Sequence, residues 1–212
     1  MQISPAKENI LKRIRQALAT PTPVPFPQSD GNSSVFHSPT QENDIEFAEN
    51  FGRIQGRFLY CANTEELVRQ LKELIGRQAW AQVFCRESLL LSVLQEPLKG
   101  LLMDDDLPEA DVSITGCEAL IARTGSILMS TGQDSGRLVS VYAPVHICIA
   151  WTNQLVYDIR EGLDLLTSKY KAGIPSFITM ATGPSRTADI EKTLVVGVHG
   201  PKDVYVFLVE AP

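Results

Sequence analysis

RFLYCANTEELVRQLKELIGRQAWAQVFC, residues 57–85, decides the architecture. Two short apolar runs, Arg57–Ala62 and Ala81–Cys85, bracket a segment of different rhythm. Within it Leu67, Val68, Leu71, Leu74 and Ile75 recur at helical spacing after a polar start. Asn63 or Thr64 supplies the oxygen that caps the first free amides of such a helix. A strand, an amphipathic helix and a second strand in succession is the unit that builds a parallel sheet, because the helix carries the chain back to the end where it began. The fold class read from this stretch is α/β with a mostly parallel sheet.

On the N-terminal side, Ser4 caps a helix from Pro5 with Ile10, Leu11, Ile14 and Leu18 on one face. Thr20–Asn43 is rich in Pro, Ser, Thr and Gln and reads as an extended linker. The expected organisation is therefore an N-terminal helix and linker over residues 1–43 and one folded domain over 44–212. Ile45–Ile54 reads as a helix with Ile45, Ala48 and Phe51 on one side, and Glu87–Leu94 as one or two helical turns. Further on, Cys117–Ala122 reads as a helix and Gly125–Ser130 as a strand. Gly132–Gly136 reads as a polar turn, either a surface hairpin or a flap. Val145–Trp151 and Val204–Val209 read as buried strands, Gln154–Leu166 as a helix and Phe177–Met180 as a short apolar run.

Composition bounds the function. The chain has 212 residues, a hydrophobic fraction of 44% and a net charge of -6. Its pI is about 5.1, and no Lys/Arg block interrupts that balance, which argues against a nucleic-acid surface. Cys61, Cys85, Cys117 and Cys148 are widely spaced and form no C-x-x-C pair, so buried thiols in a reducing compartment are expected, and neither zinc nor an iron–sulfur cluster in this chain. Lys7, Glu8, Lys12, Arg13 and Arg15 are followed by no apolar stretch of secretory type, and no apolar run reaches the length of a membrane span. A cytoplasmic protein without a membrane span is the expectation.

Polar residues cluster in two places. Ser176–Gly200, SFITMATGPSRTADIEKTLVVGVHG, follows an apolar run with Gly183, Ser185, Arg186, Thr187 and Asp189, and later His199 between small residues. Free amides at a helix start bind anions, hydroxyls add donors, and an arginine grips a carboxylate or phosphate with two parallel bonds. The alternative is a capped turn of structural value only. The second cluster is Thr115-Gly116-Cys117-Glu118 followed by Thr124-Gly125-Ser126. Its glycines permit tight turns with amides turned toward a ligand. Glu118 suits an acid, a base or a carboxylate nucleophile, and equally a place at a helix start. His146 and His199 are candidate bases or satisfied structural histidines. His37 falls in the linker, and Asp104, Asp105 and Asp106 read as a solvated loop. No P-loop, G-x-G-x-x-G, G-x-S-x-G or H-E-x-x-H pattern occurs in the chain.

Taken together, several blocks resemble one family. They are Asp111–Gly116, Glu118–Ser126, Arg137–Ser140 with Pro144–Ile147, Thr182–Glu191 and Gly197–Pro201. The combination is similar to the LUD-domain family, in its small lactate-utilisation group, over roughly Phe58–Val209. The resemblance implies a three-layer, CoA-transferase-like fold, shared with ribose-5-phosphate isomerase and formyltetrahydrofolate cyclo-ligase. It implies an accessory subunit in a system oxidising L-lactate to pyruvate, working beside iron–sulfur subunits that carry the electron-transfer centres. The polar loops that follow the apolar strands are expected to bind a small anionic ligand or cofactor of open identity. The superfamily's transferases carry an acyl group on a glutamate, for which Glu118 is the counterpart offered, and Cys117 stands where the family more often has alanine or glycine. The site residues so assembled are Glu118 and His199 for catalysis, and Thr115, Gly116, Thr124, Gly125, Gly183, Ser185, Arg186, Thr187 and Asp189 for binding. Two other readings stay open: a stand-alone transferase or isomerase on a small anionic metabolite, and a non-catalytic interaction protein.

Overall fold

The structure is a computed structural model that describes residues 5–19, 38–103, 105–190 and 193–211. Most of the expected linker, with His37, and also Asp104 lie outside the described residues. The chain forms two compact units, Met1–Ser38 and Pro39–Pro212. Within the first, helix α1 spans Pro5–Leu18, opens with Glu8 in its first turn and closes with Arg15 in its last, the order that suits the helix dipole.

In the second unit the elements run α2 (Asn43–Arg53), β1 (Arg57–Cys61), α3 (Thr64–Gln78), β2 (Val83–Cys85), α4 (Ser88–Leu94), β3 (Leu102–Met103) and β4 (Val112–Thr115). They continue with β5 (Ala119–Ile121), β6 (Ser126–Ser130), α5 (Val139–Tyr142), β7 (Val145–Trp151), β8 (Leu155–Val156) and α6 (Ile159–Lys169), then β9 (Ile178–Ala181), β10 (Arg186–Ile190), β11 (Thr193–Val196) and β12 (Asp203–Val209). Six strands form a sheet in the order β1-β12-β7-β4-β2-β3, and every pairing in it is parallel. The opening stretch thus folds as its rhythm dictates. The Asn63 side chain accepts from Glu66 N at 2.9 Å, and Glu66 reaches back to Ala62 N at 3.0 Å, closing both ends of the first turn of α3.

Helices α3 and α4 cover one face of the sheet, where Leu67, Leu71, Ile75, Leu90 and Leu94 pack on Ile114, Ile147, Ile149 and Phe207. The opposite face meets a second sheet, β8-β5-β6-β9, together with Phe47 and Phe51 of α2. The far side of that second sheet is closed by α6 through Leu166 against Ala119, Ile121 and Leu128. The layers are therefore helix, sheet, sheet, helix, and the expected three become four because a small second sheet lies between the parallel sheet and α6.

The same second sheet corrects two local readings. Cys117–Ala122 is not a helix. Ala119–Ile121 is a strand, paired with β6 and β8, because Leu120 and Ile127 point to one core while Ala119, Ile121 and Leu128 point to the other. A strand buried on both faces loses its alternation and imitates a short apolar helix. Likewise the helix expected from Gln154 begins only at Ile159, capped by Asp158, since Leu155 and Val156 complete the edge of the second sheet.

Between the sheets lies a buried histidine. His146 of β7 is 1% exposed, and its Nε2 sits 2.8 Å from Thr115 Oγ1 on the neighbouring strand. Burial lowers its pKa from 6.5 to about 4. The folded protein therefore keeps this ring neutral at pH values where the unfolded chain protonates it. Stability is fully present above pH 6.5 and declines as pH falls from 6.5 toward 4. The loss at the acid end is on the order of 3 kcal/mol. Urea unfolding of wild type and His146→Gln across that range checks this, and the substituted chain is expected to show a flatter slope.

Candidate functional site

In a parallel sheet all strands end on one edge, and loops leaving neighbouring strands in opposite directions open a crevice there. That condition is met between β2 and β4. The chain leaving β2 runs outward through α4 to β3, while the chain leaving β4 turns the other way toward β7. A cleft of about 200 Å³ sits at this point, lined by Glu87, Leu90, Gly116, Cys117, Trp151 and Lys169, with Gly132, Gln133 and Asp134 from the turn after β6.

Lys169, on the cleft wall, belongs to a four-part polar network that lies behind it. Glu118, whose side chain is 3% exposed, takes Lys169 Nζ on Oε2 at 2.7 Å. Its Oε1 accepts from Ser130 Oγ and from Tyr170 O–H, each at 2.6 Å. Burial pushes the Glu118 pKa up, but the bonds from Lys169, Ser130 and Tyr170 outweigh it and hold the carboxyl below its ordinary range. The same pairing raises the Lys169 pKa against the opposing effect of burial. Near neutrality Glu118 is an anion and Lys169 a cation. Lysine lines the cleft, whereas glutamate stands behind it. The Glu118 carboxylate holds the Lys169 ammonium at 2.7 Å. With all three donors engaged it also lacks the exposure that an acyl-carrying glutamate needs.

Glu87, two residues past the end of β2, is the second carboxyl. Its Oε1 accepts from Gly116 N at 2.9 Å. Burial pushes its pKa up, the Gly116 N–H and Ser135 pull it down, and the negative charges of Asp134 and Glu118 add to the rise; the net result is a raised pKa. The two carboxyls of this site are therefore driven in opposite directions, the pattern that separates an acid from a held anion. The turn after β6 is pinned: Asp134 Oδ2 accepts from Ser88 N at 3.3 Å and from Ser88 Oγ at 3.0 Å. Glycine suits position 132, since a Cβ would press on the Tyr170 hydroxyl that is bonded to Glu118.

The residues expected from sequence divide into four places. Gly116 lines the cleft, and Thr115 lies beneath it, bonded to Gly116 O at 2.9 Å. Thr124 and Gly125 sit at the turn joining β5 to β6, at the other end of those strands from Glu118 and Ser130, and Thr124 Oγ1 bonds Ser126 Oγ at 2.8 Å. The late cluster is a hairpin and not a helix start: Arg186 and Thr187 pair with Val196 and Val195. The free amides of a helix start, expected there, are therefore not formed. Gly183, at φ 76, abuts Ile54 O, Ser185 N bonds Pro201 O at 2.9 Å, and Arg186 Nη2 bonds Ile54 O at 2.9 Å. Asp189 belongs to β10, and its side chain lies outside the described residues.

His199 lines a different hollow, of about 280 Å³, with Tyr142, Pro144 and Lys202. That hollow is at the N-terminal end of β7 and β12, whereas Trp151 at the cleft ends β7. Seven residues of strand separate the two, roughly 20 Å. Glu118 and His199 accordingly do not share a site. Sequence reasoning missed Glu87, Lys169, Tyr170 and Ser130. A rule that inspects every residue just past a strand end would have found Glu87, but no local signal marks Lys169.

All four cysteines are buried thiols. Among the described residues no group of three or more His, Cys, Asp or Glu is placed to hold a metal ion, and no helix is long and apolar enough to cross a membrane.

A family model described as LUD domain matches residues 45–209. The chain is 37% identical over 105 residues to Lactate utilization protein C of Deinococcus radiodurans, covering 49% of each. To Lactate utilization protein C of Bacillus subtilis it is 37% identical over 103 residues, covering 47% of this chain and 43% of that protein. The matched part thus spans about half the length of these curated relatives. An uncharacterized protein of Neisseria meningitidis serogroup B is 32% identical over nearly the whole of both, 96% of this chain and 93% of that protein. A crystal structure of a DUF162 family protein from Deinococcus radiodurans superposes with a TM-score of 0.55 at 22% identity, covering 79% of this chain and 94% of that one, a likeness of fold.

Proposed function

The chain belongs to the LUD-domain family, and from that premise we propose that it serves a lactate-oxidising system as an accessory subunit, holding a small 2-hydroxy or 2-oxo carboxylate in the cleft beside Lys169. The relatives named Lactate utilization protein C supply the connection to lactate. The observation that carries the reading is the buried Glu118 carboxylate, which holds the Lys169 ammonium charged and in place on the cleft wall. A carboxylate ligand pairs with that ammonium, and Leu90 and Trp151 shelter its carbon chain from water. Electrons from the oxidation pass to iron–sulfur centres on partner subunits. The four layers belong, on this reading, to the CoA-transferase-like class of α/β folds.

Calorimetry with L-lactate and with pyruvate tests the site. Binding of either anion by the isolated chain supports it, and the absence of heat from both removes it. Arg186→Ala serves as the companion protein. Its guanidinium is bonded to Ile54 O, away from the cleft lining, so unchanged affinity is expected. A tenfold loss would return the ligand to the β10–β11 hairpin.

One observation favours a second reading, a stand-alone isomerase on a small anionic metabolite. It is the opposite displacement of the Glu87 and Glu118 pKa values, which equips the cleft for proton transfer. Exchange of a ligand's C–H proton with heavy water, catalysed by the isolated chain, would favour it.

A further inference from the structure

Taking the cleft as the site of a 2-hydroxy or 2-oxo acid, on which this inference rests, we propose that Glu87 reads the oxidation state of the ligand's second carbon. Glu87 lines the cleft together with Lys169 and Gly116. Its Oε1 accepts from Gly116 N at 2.9 Å, and its other oxygen lies 2.8 Å from where a Cβ of residue 116 would stand. Glycine at that position leaves room for the carboxyl against the peptide, and Ser135 of the turn after β6 favours its ionised form. The group is fixed in orientation. A carboxylate has about four acceptor positions, so the bond from Gly116 N leaves capacity for a ligand.

The two ligand classes differ at one atom. A 2-hydroxy acid presents a hydroxyl that donates, and a 2-oxo acid presents a carbonyl oxygen that only accepts. Ionised Glu87 accepts and so complements the hydroxyl. Protonated Glu87 donates and so complements the carbonyl. Lys169 grips the carboxylate that both ligands share and gives affinity without discrimination.

The surroundings bring the switch toward working pH. Burial acts first on Glu87, and the carboxylates of Asp134 and Glu118 oppose its ionisation. The Cys85 thiol, pushed up to about 12, and the buried Cys148 thiol stay neutral beside it. Lys169 contributes the one positive charge among the cleft-lining side chains, and it is largely committed to Glu118. Below the Glu87 pKa the cleft selects the oxo acid, and above it the hydroxy acid.

The experiment measures dissociation constants for L-lactate and pyruvate by calorimetry across the acidic and neutral range, with wild type and Glu87→Gln. In wild type the ratio of the pyruvate to the lactate constant rises with pH by about tenfold, the worth of one well-matched bond against a mismatched one. In Glu87→Gln the ratio is flat, because an amide both donates and accepts at every pH. Carboxyl NMR on the wild-type protein with labelled glutamate gives an independent readout, in which pyruvate raises the Glu87 pKa and lactate lowers it. A flat ratio in wild type, a pH dependence that survives in Glu87→Gln, or the same pKa with both ligands overturns the assignment while the anion site stands. Failure of both anions to bind at any pH overturns the site itself, and the inference with it.

Discussion

Lys169→Met will lower affinity for L-lactate or pyruvate by about 10- to 100-fold while leaving the domain folded. The range is what one charge-assisted hydrogen bond in a partly enclosed site is worth. The fold survives because the lysine side chain is 57% exposed and carries little of the core. Its partner is the more sensitive member. The Glu118 side chain is 3% exposed and keeps only Ser130 and Tyr170 once the ammonium is gone, at a cost of about 2 kcal/mol. Adding Glu118→Gln to Lys169→Met removes the stranded charge, so most of that stability returns and the affinity does not. Urea unfolding and calorimetry on the two proteins separate these effects. Wild-type affinity in Lys169→Met would dismiss the lysine as the anion anchor.

Gly125→Ala will destabilise the domain by about 3 kcal/mol or more, and its effect on a ligand will be secondary. Gly125 sits at φ 60, and an added Cβ would lie 2.6 Å from Phe51 N and 2.8 Å from Asn50 C, both backbone atoms of α2. Such a clash is relieved only by moving the helix that places Phe47 and Phe51, fully buried, in the core. The movement also breaks the bonds from Asn50 Nδ2 to Ala122 O at 3.0 Å and Arg123 O at 3.1 Å. Gly136→Ala is the matched control. It too has positive φ, 66, but an added Cβ meets nothing within 4 Å, so only the backbone cost of about 1 kcal/mol applies. Urea midpoints of the two variants measure the difference. Equal midpoints would show that the α2 approach is looser than the structure has it.

Gly125 also shows what a sequence motif conceals. Thr124-Gly125-Ser126 looks like a ligand turn because glycine and hydroxyls serve both ligands and tight packing. Here the hydroxyls bond each other and Thr182, and the glycine admits a helix backbone. Arg186 misleads for a related reason. After Gly-Pro-Ser an arginine suggests an anion grip, yet the strand pairing of Thr187 with Val195 turns the segment into a hairpin, and the guanidinium closes on Ile54 O. Glu118 was legible as a functional residue, but its partners were not. Lys169 is 51 residues away and Tyr170 is 52, and neither carries a local mark.

The strand-helix-strand unit of residues 57–85 and the buried runs at Val145–Trp151 and Val204–Val209 were settled by the chain alone, because periodicity and capping are short-range properties, and the family was legible in the resemblance of its motif blocks. Tertiary structure alone decided that Cys117–Ala122 enters a second sheet, that the loops after β2 and β4 part to open a cleft, and that α6 delivers a lysine to a buried glutamate. Those outcomes depend on which faces find burial against distant segments, and a sequence read locally holds no term for that energy.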